Sequence, residues 1–212
     1  MCRLLFVKSE HEFEIEFHLN KFAEVCKLSK EFQGHGWGCA YLDSENNWKY
    51  YKNINPIWED DFSKFPKSNR LIVHARSAFE DKDIFIENNM PFFDNNFIFI
   101  FNGELRGVKI NAEGRIGAEK IFNFIKRFHN VGMKSAMEKS INIIVNRSKY
   151  IRAMNIIIID KINGYVSSLF NEDQDYFQMS YKKLNDELII CSQNYIGEDN
   201  WTKISNKSIE VF

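Results

Sequence analysis

The sequence predicts an α+β fold, and three observations carry that expectation. Short apolar runs of strand character open the chain and fill its last third. Two segments with helical apolar spacing stand between them. No repeat, low-complexity tract or Ser/Gly linker divides the chain, so residues 1–212 are expected to form a single domain. Strands, central helices and strands again is the order of a layered α+β domain rather than of alternating βαβ units.

Residues 2–7 read as a strand. Residues 17–32 place Phe17, Phe22, Val25, Cys26 and Phe32 on or near one face, which predicts an amphipathic helix. Gln33-Gly34-His35-Gly36-Trp37-Gly38 follows, with three glycines in five residues. Cys39–Leu42 and Trp48–Tyr51 read as strands joined by a hairpin turn at Asp43-Ser44-Glu45-Asn46-Asn47. Residues 57–64 suggest a short helix ending before Pro66. Residues 71–76 and 97–101 read as strands buried on both faces, the second ending at Asn102-Gly103. Helical spacing covers 117–129 and 133–149, and strands are expected at 153–160, 164–170, 175–181, 187–192 and 208–212.

A chain of 212 residues can bury roughly 70% of its unfolded surface, so it needs no covalent staples. Lys and Arg number 28 against 29 Asp and Glu, for a formal charge of −1. No basic excess exists to neutralise a phosphate backbone, so no nucleic-acid partner is expected. The longest apolar runs, such as 97–101 and 156–159, fall far short of the roughly 20 residues of a membrane span, so no membrane partner is expected either. Cys2, Cys26, Cys39 and Cys191 show no metal-ligand spacing, and neither metal nor cofactor is implied. Without an apolar signal stretch at its start, the chain is expected in the reducing cytoplasm with its cysteines as thiols.

Cys2 stands apart because it follows the initiator Met. Removal of Met1 would leave a cysteine carrying both a thiol and an α-amine, which titrates near pH 8 and can act as base for its own side chain. A buried cysteine on a first strand is the plainer reading of the same residue. Arg76, at the end of an uncharged run, needs a carboxylate or a cluster of carbonyls: a structural ion pair or a substrate carboxylate. Asn102-Gly103 reads as a simple turn, or as an oxyanion hole built from a side-chain amide and a backbone N–H. Gly36-Trp37-Gly38 reads as a tight turn with a packed indole.

Taken together, the order and separation of these features resemble the class II glutamine amidotransferases, N-terminal-nucleophile hydrolases with a glutaminase domain. The opening Met1-Cys2-Arg3-Leu4-Leu5 is similar to that of small stand-alone members. Asn88-Asn89-Met90-Pro91-Phe92 resembles the family's Asn-x-His-Pro-Phe, and Leu188 to Gln193 its late strand. The resemblance implies a four-layer αββα sandwich with two stacked antiparallel sheets. It implies that Cys2 attacks a carboxamide and forms a thioester, with Asn102 and Gly103 stabilising the oxyanion. Arg76 would hold the substrate carboxylate, and Gly36 and Trp37 would line the pocket. The implied partners are a small glutamine-like amide and, where ammonia is passed on, a separate synthase subunit.

Departures from the pattern point to an altered substrate. The family's Asp, which holds the substrate α-ammonium, is Gly117 here; a lost charged hydrogen bond costs roughly 1.5–3 kcal/mol. Glu104 and Glu119 are the carboxylates expected to compensate. Gln33 and His35 stand where the family has His and Asp, Met90 replaces a His, and Phe101 stands where a His often precedes Asn-Gly. The competing expectation is a non-catalytic descendant that binds a ligand or a partner subunit. Arg3 receives no role from sequence alone.

Overall fold

The computed structural model describes residues 1–212. In chain order the elements are β1 (Arg3–Glu14), α1 (Ile15–Lys27), β2 (Trp37–Leu42), β3 (Trp48–Asn53), β4 (Lys67–Ala75), β5 (Phe92–Phe93), β6 (Ile98–Arg106), α2 (Gly117–Lys126) and α3 (Met133–Asn146). Then follow β7 (Tyr150–Ile159), β8 (Gly164–Ser168), α4 (Gln174–Phe177), β9 (Ser180–Leu184), β10 (Glu187–Cys191), β11 (Thr202–Lys203) and β12 (Ser208–Val211). Two compact units emerge: Met1–Pro91 with Gln178–Ile204, and Phe92–Phe177 with Ser205–Phe212. No helix is long and apolar enough to cross a membrane.

The first unit is built on a seven-stranded antiparallel sheet in the order β11-β9-β10-β1-β4-β2-β3. Its central strands are apolar on both faces: Leu4, Leu5, Phe6 and Val7 of β1 are all fully buried. Helix α1 buries Ile15, His18, Leu19, Phe22, Ala23, Val25 and Cys26, the i, i+3, i+4, i+7 stripe of an amphipathic helix. Phe17 lies off that stripe and is exposed, with the Lys21 ammonium over its ring. The helix ends at Lys27, short of the expected 32, so Phe32 belongs to the following loop and packs edge-on against His35 and Trp58.

One carboxylate organises the far side of this unit. Asp60 accepts from Trp37 Nε1 at 3.1 Å, Tyr51 Oη at 2.8 Å and Asn53 Nδ2 at 2.7 Å, and pairs with Lys64 Nζ at 2.6 Å. To present its side chain there, Asp60 leaves helical geometry (φ −96°, ψ 154°), which cuts the helix expected over 57–64 to one turn at Ile57–Glu59. The expected hairpin is present: Asp43 and Asn46 close the turn through main-chain bonds, and Asn46 adopts φ 61°.

The second unit is a five-stranded antiparallel sheet, β12-β8-β7-β6-β5, carrying α2 and α3. Strand β6 does not end at Asn102-Gly103. It runs on to Arg106, pairing Asn102 with Asn155 and Gly103 with Met154, and its register shifts between Glu104 and Leu105. Gly103 is required by close approach, since a Cβ there would lie 2.2 Å from the Ala153 carbonyl oxygen. Helix α2 packs Phe122 on Phe99 in a stacked pair 4.9 Å apart. The strand expected over 175–181 is instead α4 followed by β9, because the Asp173 carbonyl accepts from the Tyr176 and Phe177 N–H groups and starts a helical turn.

Burial by itself would raise the Asp60 pKa, but hydrogen bonds from Lys64, Asn53 and Tyr51 outweigh it and hold the group below its ordinary value. A depressed carboxylate contributes stability above its unfolded pKa, near 3.9, and loses it as pH falls through the folded value. Asp60→Ala is therefore expected to cost about 2–4 kcal/mol at neutral pH, measured by urea unfolding. The gap to the wild type should narrow below about pH 4.

Candidate active site

The register of the seven-stranded sheet determines which residues meet at one end of it. Arg3 and Trp37 both pair with Ala75, from opposite sides of β4. Cys2, Gly36 and Arg76 are the next residue along each chain, so all three leave the sheet together. The Arg76 N–H donates to the Gly36 carbonyl at 2.9 Å, and the His35 N–H to the Arg76 carbonyl at 3.1 Å. Gly36 has φ 95°, and a Cβ there would stand 2.1 Å from Asn89 Nδ2, so only glycine fits.

Cys2 is the half-buried thiol of the four, while Cys26, Cys39 and Cys191 are buried in the core. Its Sγ donates to the Ser77 carbonyl at 3.7 Å. Enclosure raises the thiol pKa, Glu31 pushes it the same way, and the N-terminal charge, the Ser77 backbone and Arg76 act against the rise. Residue 1 is held by Glu31, whose carboxylate pairs with the Met1 amine, and by Gln33, whose Nε2 donates to the Met1 carbonyl at 2.6 Å. Arg3, without a role from sequence, ties β1 to its surroundings: its Nε donates to Ser29 Oγ at 3.1 Å and its Nη1 to the Ser192 carbonyl at 3.4 Å.

Arg76 is buried yet pairs with no carboxylate. Its Nη2 donates to the Asp83 main-chain carbonyl at 2.9 Å and its Nη1 reaches Asn89 Oδ1 at 3.5 Å. Burial lowers its pKa, while the Cys2 and Asp83 charges act to raise it. A buried guanidinium with neutral partners only is a site short of an anion. Trp37 differs from the pocket-lining expectation: its indole is fully buried among Tyr51, Phe62 and Phe65 and anchored on Asp60. Only its main chain faces the Ala75 end of β4.

In the second unit, Asn102 is fully buried and both Oδ1 and Nδ2 lack a hydrogen-bond partner. Such groups are rare in folded proteins and call for an explanation. Asn155, directly across the ladder, is satisfied, donating to the Phe177 carbonyl at 2.7 Å and accepting from the Leu169 N–H at 3.0 Å. Neither expected compensating carboxylate is free. Glu104 accepts from Arg106 Nε at 2.7 Å and pairs with Arg152 at 3.7 Å. Glu119 is held by Arg115 through both the guanidinium and the backbone N–H, each at 2.6 Å. Gly117 opens α2, and a Cβ there would meet nothing within 4 Å.

The sequence singled out neither His35 nor Ser77 as a site residue. His35 Nδ1 accepts from the Ala78 N–H at 2.9 Å, and Nε2 lies 3.5 Å from Asp81 Oδ1. A histidine inside Gly34-His35-Gly36, beside backbone that only glycine can adopt, was the available clue. In the folded protein, iodoacetamide is expected to label Cys2 first. Cys26, Cys39 and Cys191, their pKa values pushed far up by burial, should react only on unfolding, as read by peptide mass.

Comparison with known proteins bears on the family and the fold. The family profile described as glutamine amidotransferases class-II matches residues 1–156. No curated protein sequence matches the chain. Among solved structures, glutamine phosphoribosylpyrophosphate amidotransferase from B. subtilis superposes with a TM-score of 0.64 at 17% identity. That match covers 90% of this chain and 42% of the other, so the present chain spans less than half of that enzyme. A glutamine aminotransferase class-II domain protein from Silicibacter pomeroyi gives 0.64 at 12% identity, covering 99% and 94%. A predicted glutamine amidotransferase from Pseudomonas aeruginosa gives 0.62 at 13%, covering 100% and 97%. The α+β class, the pair of antiparallel sheets and the N-terminal-nucleophile hydrolase fold expected from the sequence are all found. With more than two thirds of its length matched by the family profile, the chain belongs to the class II glutamine amidotransferases.

Proposed function

We propose that this protein is an amidohydrolase of the glutamine amidotransferase type, with Cys2 as nucleophile. The observation that carries the reading is the meeting of Cys2 with Arg76, a half-buried thiol beside a buried guanidinium that has no carboxylate of its own. The unpartnered Asn102 carboxamide supports it.

Once Met1 is removed, the α-amine of Cys2 takes the thiol proton and Sγ attacks the carboxamide carbon. Negative charge develops on the carbonyl oxygen and is met by Asn102 Nδ2 and the Gly103 N–H. The C–N bond breaks, the amine returns the proton, and ammonia or an amine leaves. Water then cleaves the thioester and frees the acid. Arg76 holds a substrate carboxylate in its place by bidentate donation, and the Gly36 and Trp37 main chain borders it. No step calls for a cofactor.

The substrate in this reading is a glutamine-like amide, a γ-glutamyl compound or related amide rather than ordinary free glutamine. The support is the engagement of both Glu104 and Glu119 by arginines together with the bare Gly117, which leaves the α-ammonium without the family's carboxylate. The protein acts alone or passes ammonia to a separate synthase subunit. Its match along nearly the full length of a class-II domain protein and of a predicted glutamine amidotransferase supports a glutaminase-type unit. A second reading, a ligand- or partner-binding descendant, draws on the close hold of Glu31 and Gln33 on residue 1.

Protein confirmed by intact mass to begin at Cys2 is expected to release ammonia or amine from an amide panel, and Cys2→Ala to abolish it. Asn102→Ala should lower kcat by about 10²–10³-fold. γ-Glutamyl amides should outrun free glutamine. A clear preference for glutamine would overturn the substrate assignment, and no turnover by verified Cys2 protein would favour the binding reading.

A further inference from the structure

We propose that His35 is a positioning residue for Cys2, acting through the Ser77–Ala78 peptide; this rests on the reading of Cys2 as the nucleophile. One peptide plane links the two residues. A trans peptide directs its C=O and its N–H to opposite sides, and Met90–Pro91 is the cis bond of this chain. The C=O of the Ser77–Ala78 unit accepts from Cys2 Sγ at 3.7 Å. Its N–H donates to His35 Nδ1 at 2.9 Å. Whatever orients the N–H therefore orients the carbonyl that faces the thiol.

His35 is itself firmly placed. Its N–H donates to the Arg76 carbonyl at 3.1 Å, and Phe32 packs edge-on against the ring at 5.0 Å. The segment it grips is also tied at Asp83, whose carbonyl accepts from Asn88 Nδ2 at 3.0 Å. Glu80, Asp81 and Asp83 all adopt positive φ between 50° and 54°, conformations that persist only where surrounding contacts impose them. The Ala78 N–H to His35 bond and the Arg76 Nη2 bond to the Asp83 carbonyl bracket that strained run.

Accepting at Nδ1 requires that nitrogen to be unprotonated, so the neutral ring carries its proton on Nε2, toward Asp81. Burial lowers the His35 pKa, Asp81 acts to raise it, and Arg76 and the N-terminal amine lower it further, so the net direction is down. Above that pKa the ring accepts from Ala78. Below it Nδ1 becomes a donor, two N–H groups face each other, and the peptide plane turns, taking the Ser77 carbonyl from the thiol.

Cys2 reactivity tests this without any amide turnover, so its failure is separate from failure of the amidase assay. The rate of iodoacetamide labelling at Cys2, read by peptide mass from pH 4.5 to 9, is compared in wild type, His35→Asn and His35→Ala. Below the thiol pKa the logarithm of the rate should follow pH with unit slope. The wild type should add a second break below about 6.5, coincident with the His35 titration followed by NMR. His35→Asn keeps an acceptor at the Nδ1 position, so it should retain the neutral-pH rate within about twofold and lose the break. His35→Ala should lose the break and, with the Ser77 carbonyl no longer holding the thiol proton, speed labelling at neutral pH by about threefold to tenfold, the equivalent of one hydrogen bond. A break that survives in His35→Asn, or a His35→Asn rate as high as that of His35→Ala, overturns the proposal. If His35→Ala fails to fold by circular dichroism, the wild type and His35→Asn decide it alone.

Discussion

The pairing register of three strands is the constraint on which the rest depends. Strand β4 receives β1 on one side and β2 on the other, and both place their pairing partner opposite Ala75. A slip of one residue would reverse every side chain on the slipped strand. Leu4 through Val7 on one flank and Leu71 through Val73 at the centre are fully buried on both faces, so such a slip would mismatch side-chain shapes across two close-packed layers. The thiol of Cys2, the glycine turn at 36 and the guanidinium of Arg76 thus converge because a hydrophobic ladder leaves them no other place.

Around that constraint the molecule tolerates polar groups that folding alone would not favour. Asn102 and Asn155 face each other across one ladder and are both fully buried. Asn155 uses its carboxamide to tie Leu169 and Phe177 to the sheet, whereas the Asn102 carboxamide has no hydrogen-bond partner. Arg76, also buried, has the Asp83 main-chain carbonyl and Asn89 Oδ1 as its side-chain partners and no carboxylate in direct contact. A buried unsatisfied amide costs about 1–3 kcal/mol.

Much of this was legible in the sequence, and the misses share a cause. The helix faces of α2 and α3, the Asp43–Asn47 hairpin and the apolar strands could be read because periodicity and turn chemistry are local. Asn102-Gly103 was read as the end of a strand because the pair usually marks a turn; its partner strand lies some fifty residues away and carries the chain straight through. Asp60 ended a helix for the sake of Trp37, Tyr51 and Asn53, contacts that no local window contains. Cys2 and Arg76 stood out in the sequence because a thiol after the initiator and a charge after an apolar run are conspicuous. His35 did not, because its role comes from a peptide some forty residues further on.

The central claim is that Cys2 is a nucleophile in a site that binds a carboxylate-bearing amide. The most direct measurement is the covalent reaction of Cys2-initiated protein with a glutamine-like diazoketone, read as an intact-mass adduct mapped to a single peptide. The account predicts one adduct, on Cys2, absent in Cys2→Ala and formed far more slowly in Arg76→Ala, where the carboxylate has lost its anchor. No adduct on Cys2, or one formed equally fast without Arg76, would contradict it.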